Sequence, residues 1–186
     1  KIEETSRDLE FGLDTYYRRN TGSYYTGLKL TQHMINELFE SADKEFLQDL
    51  PNRTFLEPCV GTGNFVFSYL RKIYELNYTK SDAQRILDNI YVCDINAEAL
   101  FAYKCLLKQL VQTLWDIEIE DTYFKKNIGG PLLYNVNSDS PSYIKISDVF
   151  PQEVIDRGFD IVITNPPYKN LRAEKNKFDS MEEYHK

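Results

Sequence analysis

A four-residue turn late in the chain carries groups suited to chemistry on a planar amino group. The turn is Asn165-Pro166-Pro167-Tyr168, and it follows the apolar run 159–163. An amino group on an aromatic ring, such as that of adenine, is a poor nucleophile because its lone pair is delocalised into the ring. The side-chain oxygen of Asn165 and the carbonyl of Pro166 could accept both N–H hydrogens and free that lone pair.

The two prolines and the tyrosine support this interpretation of the turn. Proline fixes its own φ and has no N–H, and the residue before a proline is held extended, so the two acceptors would be preorganised. Tyr168 offers a flat face on which an unstacked base could regain about 1–3 kcal/mol. The alternative is that the four residues form only a rigid turn that ends a strand.

A second segment, Pro58 to Gly63, lies between a strand pattern and a helix pattern and contains Gly61-Thr62-Gly63. Glycines let the backbone pass close to a ligand at a helix N-terminus. The third glycine of the dinucleotide-binding pattern is replaced by Val66, and the Lys-Ser/Thr pair of a phosphate loop is absent. The segment therefore favours a ligand that is not a polyphosphate, or else it is a tight turn without a ligand.

Asp94 directly follows another apolar run, Ile90 to Cys93. A carboxylate at the end of the second strand can accept both hydroxyls of a ribose. The interval from Gly61 to Asp94 exceeds the usual spacing of about 20 residues, which predicts an extra helix between them. Asp94 could instead cap the following helix, although Asn96 could fill that role.

The pattern around these motifs predicts alternating strands and helices, and hence an α/β fold with a doubly wound, mostly parallel, Rossmann-like sheet. Ligands of such sheets bind beyond the carboxyl ends of the strands, where each motif falls. Residues 43–53 form a charged connector that could hold a short helix, and residues 116–142 form an irregular excursion. The predicted strands are 54–57, 90–93, 143–146 and 159–163, and the predicted helices are 30–41, 64–74, 81–87 and 97–113.

Two helix faces and one helix start are predicted in more detail. The helix starting at Leu30 is expected to bury Met34, Ile35, Leu38 and Phe39, and the helix starting at Asn64 to bury Val66, Tyr69, Leu70 and Ile73. Ser81 and Gln84 resemble a capping box that opens the short helix 81–87.

Composition excludes several classes of protein. The chain has 186 residues, enough for one good core, and it has no apolar run long enough to cross a bilayer. Three separated cysteines, Cys59, Cys93 and Cys105, predict free thiols in a reducing, cytoplasmic compartment. With two histidines in the chain, neither a metal site nor a Ser/His/Asp triad is expected.

The net charge of −7 has the wrong sign for binding DNA phosphates mainly by counterion release. Local patches would have to supply any such affinity. Residues 169–177 form one candidate, with four basic side chains against one acidic, although a solvated charged tail is an equal reading of that stretch. The chain starts at Lys1 without methionine and ends soon after Tyr168, so we expect a fragment whose sheet is incomplete at the C-terminus.

The segments 55–65 and 160–168, in this order, resemble the cofactor and catalytic motifs of amino-methylating (N6-adenine) DNA methyltransferases of restriction-modification systems. They read Phe-Leu-Glu-Pro-Cys-Val-Gly-Thr-Gly-Asn-Phe and Asp-Ile-Val-Ile-Thr-Asn-Pro-Pro-Tyr. In the subclass that the chain resembles, a Tyr-Thr segment precedes the cofactor loop. Tyr24-Tyr25-Thr26 stands in that place, with Gly27 where a proline often follows.

This resemblance implies S-adenosylmethionine as the cofactor and DNA as the partner, read through a target-recognition region not evident in this chain. Restriction-system subunits are further candidate partners. It divides the chain into a polar segment 1–23, a catalytic domain 24–168 and a charged tail or mobile loop 169–186. The implied cofactor contacts are Thr26, Glu57 and Gly61 to Gly63 at the methionine end, Asp94 at the ribose, and Ile95 and Asp148 at the adenine. Asp148 could also be a helix N-cap.

Two other functions fit parts of the pattern. Methyltransferases of protein glutamine amides share the Asn-Pro-Pro-Tyr signature, but the Tyr25-Thr26 segment and the Glu57-Pro58 pair argue against them. A catalytically silent subunit would bind cofactor or partners only, and it would have no physical need for Asn165 and Tyr168.

Overall fold

A computed structural model describes residues 26–130 and 149–166 of the chain. Helices and parallel strands alternate along the described segments, as the sequence predicts. The elements are α1 (Leu28–Ser41), α2 (Lys44–Gln48), a 3-10 turn (Leu50–Asn52), β1 (Phe55–Glu57), α3 (Asn64–Glu75), α4 (Lys80–Asp88), β2 (Ile90–Cys93), α5 (Ala97–Trp115), α6 (Asp121–Asn127), β3 (Ile128–Gly129), α7 (Gln152–Arg157) and β4 (Ile161–Val162).

The four described strands form one parallel sheet in the order β3-β2-β1-β4. Phe55 pairs with Ile90 of β2 on one side and with Ile161 of β4 on the other. The chain therefore builds outward from β1 through β2 to β3 and then places β4 on the opposite side of β1. In open α/β sheets, such a reversal of strand order marks the crevice outside the carboxyl ends of the strands where ligands bind, here the ends of β1 and β4. The α/β fold predicted from the sequence is confirmed.

Alternate side chains of the central strands enter two separate apolar clusters, because successive residues of a strand point to opposite faces. The larger cluster lies under α1, α3, α4 and α5, and the smaller lies under α7. The sheet is thus covered by helices on both faces, which explains why β2 is apolar and buried at every position. Phe55, Ile90 and Val92 belong to the larger cluster, and Leu56, Tyr91 and Cys93 belong to the smaller.

Helix α1 packs against α3 and fixes the start of the described chain beside the crevice. Thr31, Ile35 and Phe39 are its buried residues, spaced four apart on one face. The Thr31 hydroxyl lies 2.9 Å from that of Ser68 on α3. The prediction that Met34 is buried is wrong, and Leu38 is half-buried, because both lie beside rather than on the face that meets α3.

Helix α3 buries the face that its sequence predicts. Val66, Tyr69, Leu70 and Ile73 are each 0% exposed. The connector before β1 contains α2, so the predicted short helix there is confirmed. Asp43 caps this helix by accepting a hydrogen bond from the N–H of Phe46 at 2.7 Å.

The extra helix before β2 exists, but its predicted capping residues are wrong. The capping box is formed by Thr79 and Asp82, whose side chains each accept from the other's backbone N–H at 3.1 Å. Thr79 has the extended backbone that an N-cap needs. Ser81 lies inside α4, so its backbone is already helical.

The excursion predicted for residues 116–142 is wrong over its first half, which contains α6 and β3. Strand β3 has only two residues, Ile128 and Gly129, paired with Val92 and Cys93. Such a pair is too short to show a period, which is why the pattern missed it. The predicted strand 143–146 lies outside the described residues.

The strand at 159–163 is present but shorter than predicted, since β4 spans Ile161 and Val162 only. Its apolar sequence favours a buried strand, but this expectation is wrong, because β4 lies at the edge of the described sheet and Val162 is 58% exposed. In the described part of the chain, no helix is long and apolar enough to cross a membrane.

Candidate active site

Two loops border the crevice at the switch in strand order. One joins β1 to α3 and holds the glycine turn, and the other follows β4 and holds Asn165 and Pro166. Because the strands are parallel, their carboxyl ends bring these loops to the same edge of the sheet. The sequence separates them by about a hundred residues, and the sheet order makes them neighbours.

The glycine turn needs glycine for its backbone and for its packing. Gly61 and Gly63 have φ values of 55° and 101°, in the region that other residues rarely adopt. A Cβ on Gly63 would lie 2.5 Å from Tyr103 Cδ2 and 2.7 Å from Phe67 Cζ. The core beneath the turn therefore excludes a side chain at Gly63 whether or not a ligand is bound. Thr62 between them is also buried.

Asp94 ties the glycine turn to the end of β2. Its Oδ2 accepts a hydrogen bond from the N–H of Gly61 at 2.7 Å, and its Oδ1 accepts from the N–H of Asn96 at 2.8 Å. Burial raises the pKa of Asp94, although these N–H groups and that of Ile95 oppose the rise. Asn96 is the N-cap of α5, with its side chain accepting from Glu98 and Ala99. Asp94 is therefore not needed as the cap.

Glu57, the last residue of β1, is a carboxyl group buried beside the turn. It is 2% exposed, and among the described residues its Oε2 has no hydrogen-bond partner. Burial raises the pKa of Glu57 well above its ordinary value, and nearby Asp94 raises it further, against the opposing N–H of Val66. A buried carboxyl with a vacant acceptor oxygen is costly unless something cationic or hydrogen-bonding joins it.

Three further residues, Ile95, Cys59 and Cys93, lie near the glycine turn. Ile95 is 49% exposed next to Asp94, an apolar surface beside a polar one. Cys59 and Cys93 are free thiols, and burial raises the pKa of both, that of Cys93 to about 12. Both are therefore thiols rather than thiolates at neutral pH, which argues against a nucleophilic role.

Thr26 joins both loops. Its backbone carbonyl accepts a hydrogen bond from Asn64 Nδ2 at 2.9 Å, and its hydroxyl accepts one from Asn165 Nδ2 at 2.8 Å. Gly27, which follows it, has a φ of −60°, a value that proline also adopts, so glycine there leaves the backbone unchanged. The family resemblance implies Thr26 as a cofactor contact, whereas Asn64 was not predicted to take part, although it directly follows the glycine turn.

Asp160 fixes the start of β4 to the start of β1, a role that the sequence analysis did not find. Its Oδ2 accepts from the N–H of Thr54 at 2.8 Å and from the Thr54 hydroxyl at 2.9 Å. Its Oδ1 accepts from Arg53 at 2.9 Å, and Arg157 lies 3.3 Å away. Burial would raise the pKa of Asp160, but these donors outweigh it and hold the pKa well below its ordinary value. Asp160 sits five residues before Asn165, so this network sets where the second loop leaves the sheet.

The structure brings seven of the predicted site residues to this edge of the sheet together with Asn165 and Pro166. They are Thr26, Glu57, Gly61, Thr62, Gly63, Asp94 and Ile95. Asp148, Pro167 and Tyr168 lie outside the described residues, as do Tyr24 and Tyr25.

The sheet order, the glycine turn and the acidic residue that follows β2 define a Rossmann-like α/β protein, a class that binds its ligands at the switch in strand order. A comparison with protein families identifies the family to which this protein belongs. The chain belongs to the Eco57I restriction-modification methylase family, whose model matches residues 88–186, more than half of the chain. It is therefore a methyltransferase of the restriction-modification type. The match includes Asp94 and the turn at Asn165, whereas the glycine turn precedes it. No curated protein matches the chain.

Proposed function

We propose that this protein transfers a methyl group from S-adenosylmethionine to the exocyclic amino group of adenine in DNA, within a restriction-modification system. The observation that carries the proposal is the placement of the Asn165 amide at the switch crevice, on the same edge of the sheet as the buried, half-partnered carboxyl of Glu57. The Asn165 amide can accept a hydrogen bond from the amino group that is to be methylated. The Glu57 carboxyl can bind a positively charged methyl donor. Membership of the methylase family supports this pairing.

The residues beside the glycine turn fit S-adenosylmethionine, which carries an ammonium and a sulfonium. Glu57 would accept from the ammonium through the oxygen that lacks a partner. Asp94 would accept from the ribose hydroxyls, and exposed Ile95 would cover the adenine ring. The left-handed turn at Gly61 to Gly63 would let the backbone approach the methionine end. Asp148 would accept from the amino group of the cofactor's adenine.

The second loop would prepare the target amine. Oδ1 of Asn165 and the carbonyl of Pro166 would accept the two N–H hydrogens, which lets the nitrogen lone pair leave conjugation with the ring. Tyr168 would stack on the base once it has left the duplex, and Pro167 would keep the turn rigid. The cofactor, when bound, supplies a methyl group on a positively charged sulfur. The chain's residues position the amine toward it, and the proton lost from nitrogen passes to solvent.

Binding of DNA must overcome the chain's charge of −7. The basic residues in 169–177 and a separate target-recognition region are the proposed sources of affinity. We further propose that 24–168 forms the catalytic domain and that 169–186, which lies outside the described residues, is a charged tail or a loop that closes over the extruded base. Restriction-system subunits are proposed partners.

The test is a methyl-transfer assay with the full-length protein, labelled S-adenosylmethionine and separate DNA, RNA and protein acceptors. Label is expected on adenine in DNA. Label on protein glutamine, with none on DNA, would replace this proposal with the amide methyltransferase, and cofactor binding without any transfer would indicate a silent subunit.

A substitution at Asn165 tests the acceptor itself. Asn165→Ala is expected to lower kcat about a hundredfold or more, because an interaction made only in the transition state is lost. The cofactor Kd should stay nearly constant when measured by calorimetry. Asn52→Ala, which removes an exposed side-chain amide that donates to Asp49, is the matched control and should leave both quantities unchanged. Equal loss of cofactor binding in Asn165→Ala would show that the acceptor is misplaced.

A further inference from the structure

The Asn165 amide is held in one orientation by Thr26. Its Nδ2 donates to the Thr26 hydroxyl at 2.8 Å across 139 positions of sequence. The two polar atoms of a side-chain amide lie on opposite sides of Cγ, so Oδ1 faces away from Thr26 when Nδ2 faces toward it. Without such a bond the terminal torsion of asparagine is broad, and either atom can turn toward a neighbour.

Thr26 is itself held in place from two directions. Asn64, the first residue of α3, donates to the Thr26 carbonyl at 2.9 Å. Helix α1 starts two residues later and packs on α3, with Thr31 and Ser68 in hydrogen-bonding contact at 2.9 Å. The hydroxyl that meets Asn165 is therefore fixed to the same helix that starts at the glycine turn.

We infer that Thr26 is a positioning residue for Asn165, which it orients so that Oδ1 is presented to the target amine. This inference rests on the proposed function, because it concerns the acceptor of that same reaction. It gives Thr26 a task different from the cofactor contact that the family resemblance implies. It also links the cofactor loop to the amine-binding loop through one side chain, Asn64 to Thr26 to Asn165.

The test compares Thr26→Val with Thr26→Ser in the full-length protein. Valine keeps the shape of threonine and removes the hydroxyl, whereas serine keeps the hydroxyl. A neutral hydrogen bond corresponds to about a tenfold change in rate. Thr26→Val is therefore expected to lower kcat about tenfold at saturating cofactor and DNA, with the cofactor Kd within about twofold of the wild type. Thr26→Ser should retain most of the kcat.

Thr79→Val is the matched control. It removes another threonine hydroxyl, the one that caps α4. The neighbouring Lys80 bonds the carbonyl of Asp116, which follows the last residue of α5, so this cap lies at the opposite edge of the sheet from the crevice. Its kcat should equal that of the wild type even if its melting temperature falls.

A second measurement does not depend on the reaction. In protein labelled with ¹⁵N-asparagine, the side-chain NH₂ signal that disappears in Asn165→Ala belongs to Asn165. That signal should move in Thr26→Val and stay near its original position in Thr26→Ser.

The outcomes separate this inference from the proposed function. A weaker cofactor Kd with unchanged kcat in Thr26→Val would overturn the inference and restore Thr26 as a cofactor contact. An unmoved Asn165 signal would also overturn it, whatever the acceptor substrate. A wild-type protein that methylates no DNA, yet whose Asn165 signal responds to Thr26→Val, would overturn the proposed function while leaving the orientation by Thr26 in place.

Discussion

Glu57 is a carboxyl group placed where its ionisation is unfavourable. It is 2% exposed, one oxygen has no partner among the described residues, and Asp94 is close enough to raise its pKa. Once the pH is high enough to favour ionisation, such an arrangement costs stability, because neutral glutamine would fit the same space without a buried charge. A carboxyl group at this position is explained if a cation binds there.

The pH dependence of stability tests this view of Glu57. Its pKa in the folded protein lies above the value in the unfolded chain, so the folded state holds the proton longer as the pH rises. The contribution of Glu57 to stability is therefore full below about pH 4.3 and is lost as the pH rises through the folded pKa. The free energy of unfolding of Glu57→Gln, measured in urea without cofactor, should exceed that of the wild type. The difference should grow as the pH rises from about 4.3 toward the pKa of Glu57 in the folded protein. Parallel curves for the two proteins would contradict the prediction.

At the scale of elements, β4 is the strand that determines where Asn165 lies in the proposed site. It has two residues and pairs with β1 alone among the described strands, so its backbone hydrogen bonds are few. Asp160 adds three acceptor contacts to residues 53 and 54, directly before β1. These contacts hold the start of β4 in place, because the short strand has few backbone hydrogen bonds of its own.

Removal of this network should destabilise the protein in a pH-dependent way. The side chain of Asp160 is 21% exposed, so we expect Asp160→Ala to lower the free energy of unfolding by about 1–2 kcal/mol, somewhat less than buried charge-assisted bonds give. The pKa of Asp160 is lowered by folding, so its contribution is present above about pH 3.9 and disappears as the pH falls through the folded pKa. The difference from wild type should therefore shrink in acid when measured by urea denaturation.

Asp156→Ala is the control for that comparison. Asp156 accepts one exposed hydrogen bond, from Gln152 at 2.7 Å on α7. Its substitution is expected to change stability by less than about 0.5 kcal/mol. A loss as large as that of Asp160→Ala would mean that any acidic residue near β4 has the same effect.

At the scale of the whole molecule, cofactor binding should stabilise the fold because the proposed site joins the ends of β1 and β2. A ligand at a hundred times its Kd stabilises by about 2.7 kcal/mol, which for a chain of this size raises the Tm by about 5–10 °C. S-adenosylmethionine is expected to give such a shift in thermal unfolding. Glu57→Gln should give a smaller shift at the same concentration, because a charge-assisted hydrogen bond corresponds to about tenfold or more in affinity.

ATP serves as the ligand control in that experiment. The glycine turn lacks the Lys-Ser/Thr pair that binds polyphosphates, so ATP should leave the Tm unchanged. A shift with ATP equal to that with S-adenosylmethionine would indicate a different cofactor class.

The sequence alone determined the features that depend on neighbouring residues. Helical spacing identified the buried face of α3, the residue types at 61–63 identified the turn, and Asn96 was one of two residues named as possible N-caps of α5. These predictions are confirmed because periodicity, turn backbone and capping are properties of a few consecutive residues. The turn at Asn165 was noticed for the same reason, since its residue types are informative by themselves.

The tertiary structure decided what depends on distant parts of the chain. The order β3-β2-β1-β4 places Asn165 beside Thr26 and Asp160 beside Thr54, pairs that are separated by more than a hundred residues. No local pattern encodes such contacts, because they arise only when the crossover puts β4 on the far side of β1. The two-residue strand β3 likewise owes its conformation to pairing with β2 rather than to its own sequence. Local chemistry thus identified the candidate groups, and the arrangement of the sheet determined which of them meet.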